Sequence, residues 1–106
     1  MKTALLFLLL SAATAANATQ TLMAQVNGMV CAFCAQGIEK KARTLPQTQD
    51  VYVNLKKKIV AVQIKDGETL EAKILKDLVK DAGYDVTEIT IVEETTAAMR
   101  ARLEHE

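Results

Sequence analysis

Cys31 and Cys34 stand three residues apart in Gly28-Met29-Val30-Cys31-Ala32-Phe33-Cys34, and they are the only cysteines in the chain. Two thiols at this spacing converge on one small volume when the first closes a strand-to-helix loop and the second opens the helix. A thiol at a helix N-terminus faces the positive end of the helix dipole, which lowers its pKa and favours the thiolate, the form that binds metal. A bis-thiolate complex of Cu(I) carries a net charge of −1, which the same field stabilises. Soft sulfur ligands suit Cu(I), Ag(I) and Hg(II). Zn(II) normally takes four ligands, and Val30, Ala32 and Phe33 offer no oxygen or nitrogen side chain to complete them. The pair fits a two-coordinate soft ion.

Three other uses of two cysteines compete. A structural disulfide is common in an oxidising compartment, but a bridge between residues three apart closes too small a loop to add much stability. A redox-active pair of the thioredoxin kind usually belongs to a longer α/β chain with a different strand order. Inert core thiols would require burial, whereas a loop and a helix start are exposed places. Metal binding is the favoured reading.

The elements that must position the thiols are legible from periodicity. Leu22, Ala24 and Val26 alternate with Thr21, Met23 and Gln25, which predicts a strand over 21–26 broken by Asn27-Gly28. A helix is expected from about Cys34 to Leu45, with Ile38, Ala42 and Leu45 inward, Glu39, Lys40, Lys41 and Arg43 in solvent, and Pro46 as its stop. Val51, Val53 and Leu55, then Val60, Val62 and Ile64, alternate on either side of Lys56-Lys57-Lys58, which reads as a hairpin with a solvated turn. Leu70, Ile74, Leu75, Leu78, Val79 and Ala82 form one helical stripe, with Thr69 as the expected N-cap and Gly83 just past the end. A last strand is expected over 85–92. The segment 95–106 reads as a frayed helical tail.

The order strand, helix, strand, strand, helix, strand, with right-handed crossovers, predicts an α+β ferredoxin-like βαββαβ sandwich: a four-stranded antiparallel sheet with two helices on one face. Against that frame, Gly28-Met29-Val30-Cys31-Ala32-Phe33-Cys34 resembles the G-M-x-C-x-x-C signature of the heavy-metal-associated (HMA) domain family. That family includes copper chaperones, amino-terminal repeats of copper-transporting P-type ATPases and the periplasmic mercury-binding protein. The resemblance runs from about Thr21 to Val92 and includes Ala82-Gly83-Tyr84 and the spacing of Val51, Val53 and Leu55. It implies that Cys31 and Cys34 are the metal ligands. It also implies that Met29 packs beneath the loop without ligating, that Tyr84 lies near the site and that Gly28 supports the turn. Family members commonly carry Thr where this chain has Val30, so a hydroxyl that would help order the loop is absent. Gly37 inside the first helix costs about 1 kcal/mol relative to Ala and points weakly to a partner surface. Phe33 reads equally as a docking aromatic or as a shield for the ion.

The 106 residues carry 13 Lys+Arg and 13 Asp+Glu, with one histidine. No basic excess exists to bind nucleic acid, and a single histidine excludes sites built from several imidazoles. Met23, Met29 and Met99 are scattered, as core methionines are, and His105 reads as solvated. Residues 1–18 read as a secretory signal peptide: Lys2, an apolar run of seven residues from Ala4 to Leu10, then small residues ending Ala16-Asn17-Ala18. A membrane crossing needs roughly 20 apolar residues. Cleavage after Ala18 would leave 88 residues with a net charge of −1. The expectation is a periplasmic metal carrier with domain 19–94, not embedded in the membrane and without enzyme activity. It would bind Cu(I), or alternatively Hg(II) or Ag(I), and exchange it with a metal-transporting membrane protein or another metal-binding domain. A monomer is expected, with a metal-bridged dimer as the alternative.

Overall fold

The computed structural model describes residues 19–105, so the expected signal peptide over 1–18 lies outside the described residues. Strand β1 (Gln20–Asn27) is followed by helix α1 (Ala32–Arg43), strands β2 (Thr48–Asn54) and β3 (Ile59–Ile64), helix α2 (Ala72–Asp81), strand β4 (Asp85–Val92) and helix α3 (Thr96–Leu103). The four strands form one sheet in the order β2-β3-β1-β4, every neighbouring pair antiparallel. This is the expected ferredoxin-like arrangement. Strand β1 lies inside the sheet, between β3 and β4, so the loop that leaves it is held by strands on both sides.

Period-two alternation assigns the two faces. Leu22, Ala24 and Val26 of β1, Val51 of β2, and Val60, Val62 and Ile64 of β3 face α1 and α2 and join Ile38, Ala42, Leu75 and Val79 in the main core. Arg43, expected in solvent, instead ties α1 to β2: it pairs with Glu39 at 3.1 Å and Asp50 at 3.2 Å and donates to the Val51 carbonyl at 3.2 Å.

The opposite face differs from expectation. The tail expected over 95–106 is helical as read, but its described helix is packed and not frayed: α3 lays Met99 and Leu103 on Tyr52, Ile59 and Ala61 in a second core cluster. The sandwich therefore has a helix on its other face. Thr95 caps α3 by accepting from the Ala98 N–H at 3.0 Å, and the Arg100 guanidinium lies 5.0 Å from the Tyr52 ring centroid, an attractive cation–π placement. A heptad-scale stripe was hard to see there because only Met99 and Leu103 are large.

Helix ends also differ in detail. The N-cap of α2 is Glu71, without a side-chain cap bond, and not Thr69; Leu70 is buried ahead of it and holds the entering chain extended. At the other end the expectation stands. Gly83 has φ +96°, its N–H bonds the Lys80 carbonyl and the Tyr84 N–H bonds that of Val79, a Schellman closure. This closure sets Tyr84 at the head of β4, beside the β1–α1 loop. No helix among the described residues is long and apolar enough to cross a membrane.

Candidate metal centre

The site is assembled from three chain segments at one end of the sheet. Antiparallel pairing puts Asn27, at the end of β1, opposite Asp85, at the start of β4. The β2–β3 turn reaches the same end, where the Lys58 carbonyl accepts from the Val26 N–H at 2.9 Å and the Lys57 carbonyl from Gln25 Nε2 at 2.8 Å. Lys56-Lys57-Lys58 is thus a turn, as read, and it borders the loop that carries the cysteines. Gly28 turns the chain out of β1 with φ +87°, a conformation that side chains other than glycine's rarely adopt. Met29 then goes fully into the core and anchors the loop from below. Its neighbour does the reverse: Val30 is 75% exposed and Phe33 82%.

α1 begins at Ala32, two residues before the expected start, because Cys31 is itself the N-cap. Its sulfur accepts the Cys34 N–H at 3.4 Å, in the way a serine or aspartate oxygen caps an ordinary helix. The spacing puts Cys31 in the loop but carries no sign of this role, since cysteine is not among the usual capping residues. Both thiols are free, Cys31 exposed and Cys34 half-buried. The hydrogen bond from the Cys34 side chain, joined by the Cys34 and Phe33 backbone N–H groups, outweighs the slight desolvation and holds the Cys31 pKa below that of an ordinary cysteine. Each of these groups donates to the thiolate, so the anion is the form the loop stabilises.

Tyr84 reaches the site from the head of β4. Its phenol is hydrogen-bonded to the Cys34 side chain, and that bond, with desolvation and the nearby cysteine charges, raises the Tyr84 pKa. A Cβ added to Gly28 would lie 3.6 Å from the Tyr84 ring, so glycine, ring and loop are in close register. The structure thus brings together Gly28, Met29, Cys31, Cys34 and Tyr84, all named from sequence. Among the described residues no group of three or more His, Cys, Asp or Glu side chains comes together to hold a metal. Two sulfurs without a third strong donor suit an ion content with linear coordination, as Cu(I) and Hg(II) are, and suit Zn(II) poorly. Nothing beyond its own helix approaches the Cβ position at Gly37, so that glycine serves no close contact within the described chain.

Residues 24–85, more than half of the chain and including both cysteines and Tyr84, match the heavy-metal-associated domain. The chain belongs to the heavy-metal-associated domain family. Within it, the chain is 36% identical over 62 residues to the copper chaperone CopZ of Bacillus subtilis (strain 168), which covers 58% of this chain and 88% of CopZ. It is 39% identical over 61 residues to copper-transporting ATPase 1 of Rhizobium meliloti (strain 1021), again 58% of this chain but 7% of the ATPase. The chain therefore spans less than a tenth of that transporter. Among solved structures, oxidized MerP from Ralstonia metallidurans CH34 superposes with a TM-score of 0.57 and 29% identity, covering 67% of this chain and 100% of that one. The HMA match ends at residue 85, so most of β4 and all of α3 lie beyond it.

Proposed function

We propose that this HMA protein is a carrier of soft metal ions, Cu(I) foremost, which Cys31 and Cys34 hold between their thiolates and release to another protein by ligand exchange. The observation that carries this reading is the N-cap thiol: Cys31 is exposed, its pKa is held below that of an ordinary cysteine by the hydrogen bonds it accepts, and it sits beside a second free thiol at the start of α1. In transfer, a thiolate of the acceptor attacks the bound ion to give a three-coordinate intermediate, and one sulfur of this protein then leaves. A second acceptor thiolate then displaces the other sulfur, and the freed cysteines take up protons that the acceptor's thiols give up on binding. An exposed loop is required for that approach, and Val30, Cys31 and Phe33 are exposed while Cys34 is half-buried.

The named function of CopZ supports copper as the cargo and a carrier role without catalysis. The likeness to an ATPase supports an acceptor that is a metal-transporting membrane protein or another HMA domain. A second reading, capture of Hg(II) for an inner-membrane transporter, is supported by the likeness to MerP, and two thiolates serve either ion. The signal-like residues 1–18 support export to the periplasm.

Mixing the Cu(I)-loaded protein with a metal-free HMA domain from a copper-transporting ATPase, separating the two by ion exchange and measuring copper in each tests the carrier reading. Copper is expected to redistribute between them within the mixing time. Copper that stays on the carrier for hours contradicts it. Growth of a deletion strain on copper and on mercury salts separates the two cargoes, with copper sensitivity expected.

A further inference from the structure

Away from the cysteines, an open groove of about 630 Å³ runs along the outer side of the sheet between α2 and β4. One wall is α2, which presents Lys73, Lys76 and Lys80; the floor is Val86 and Ile89 of β4. Residues spaced by three and four share one helix face, so the three ammonium groups form a single row. None of them has an ion pair or hydrogen bond with another described residue. Asp77 and Glu88 also border the groove, which leaves its lining with a positive balance.

The groove adjoins an edge. Among the described residues β4 is the last strand in the sheet and pairs only with β1, so its outer side presents backbone N–H and C=O groups that no other described strand pairs. Its register is irregular near Val86, where the pairing shifts, and regular from Glu88 to Val92. Ile91 in this regular part is 59% exposed. Lysines that merely guard an edge against aggregation stand on the strand itself. Here β4 carries none, and the lysines overhang it from the helix.

We propose that the groove is a docking site for an extended acidic segment of a partner protein, which adds to β4 as a fifth strand with alternate carboxylates facing Lys73, Lys76 and Lys80. Helical rise spreads these three lysines over about 10 Å. Side chains on one face of a strand recur every ~7 Å, so two or three alternating acidic residues match the row. Backbone pairing supplies the affinity and the lysine row the selection, the usual division in strand addition. Lys80 lies four residues before Tyr84, so a segment seated here holds its protein close to the cysteine loop. Such tethering raises the effective concentration of an acceptor. That consequence rests on the carrier reading, whereas docking itself does not.

The probe is a blocked heptapeptide alternating glutamate with valine, titrated into ¹⁵N-labelled, reduced, metal-free protein. Amide shifts and slowed hydrogen exchange are expected at Glu88, Ile89, Thr90 and Ile91. Affinity is expected to fall at least tenfold in the double variant Lys73→Glu, Lys76→Glu, and for a peptide alternating lysine with valine. Both lysines are exposed, so the variant keeps the fold and its metal stoichiometry, and a failure of the groove reads out separately from a failure of the cysteine site. Shifts confined to other strands, equal binding of the lysine peptide, undiminished binding by the variant or no binding at millimolar peptide overturns the proposal. So does the appearance of the same β4 shifts on raising the protein concentration without peptide, which would make a second copy the occupant.

Discussion

The Cys31 sulfur does two things at once, capping α1 and lying open to solvent, and the two are chemically linked. A thiolate accepts hydrogen bonds better than a thiol, so every donor that caps the helix also favours the metal-binding form. The largest of these influences is the Cys34 side chain. In single-thiol variants this predicts an order: Cys31 in Cys34→Ser, where a hydroxyl donor remains, should have a lower pKa than in Cys34→Ala. The alkylation rate of Cys31 by iodoacetamide should reach half its maximum at a lower pH in the serine variant, and coincident profiles would contradict the linkage. Gly28 offers a second check. With φ +87°, an alanine there pays the steric cost of the left-handed region, and urea unfolding of Gly28→Ala should show a loss of about 1–2 kcal/mol. At this scale the sequence was informative because thiol chemistry follows from residue type and spacing. It was silent on the cap and on the Tyr84–Cys34 bond, which depend on loop geometry and on a contact across fifty residues. Tyr84 was placed near the site by family resemblance alone.

Elements with a clear period were legible and one without it was not. β1, β3 and β4 fall within about a residue of their expected bounds, because apolar β-formers bounded by turn residues mark each of them: Asn27-Gly28 ends β1, Asp66-Gly67 follows β3 and Gly83 precedes β4. α3 was misjudged because its sequence, Thr-Ala-Ala-Met-Arg-Ala-Arg-Leu, offers only Met99 and Leu103 as large apolar residues, one turn apart. What makes it a packed helix is the sheet beneath it. Tyr52, Ile59 and Ala61 face away from the main core and would otherwise form an exposed apolar patch. These residues lie 38 to 47 positions from Met99, beyond any local pattern. Met99 is fully buried, so Met99→Ala should destabilise the protein by about 2–5 kcal/mol in urea unfolding. Backbone amides from Met99 to Leu103 should exchange with protection well above that of a fraying terminus. Loss of only a few tenths of a kcal/mol, or unprotected amides, would return α3 to the status of a loose tail.

Across the whole molecule, Asp50 on the edge strand β2 joins the helices of both faces. It accepts a hydrogen bond from the Thr96 hydroxyl at the start of α3 and pairs with Arg43 at the end of α1, while Gln63 Oε1 accepts the Thr96 N–H at 3.0 Å. Partial burial by itself raises the Asp50 carboxyl, but the Thr96 hydroxyl, the Val51 N–H and Arg43 together hold its pKa below the ordinary carboxylate value. A group with a lowered folded-state pKa contributes stability that is fully present above its unfolded value, near 4, and is lost as pH falls through the folded one. Thermal unfolding should therefore show the parent losing stability below about pH 4 more steeply than Asp50→Asn, which should be less stable at pH 7; parallel pH profiles would contradict the linkage. The topology that unites these parts was readable, because the order of elements and the handedness of crossovers leave few arrangements. The clasp was not, since Thr96 lies 46 positions from the Asp50 that it bonds. All of it serves one end of the sheet, where two thiols stand in an open loop. Anaerobic titration of the reduced protein with Cu(I) against a chromogenic chelator tests that centre most directly. About one tightly held ion per chain is expected, lost in both Cys31→Ser and Cys34→Ser with the fold intact by circular dichroism. Copper that stays with the chelator, or binding that survives in either variant, would contradict it.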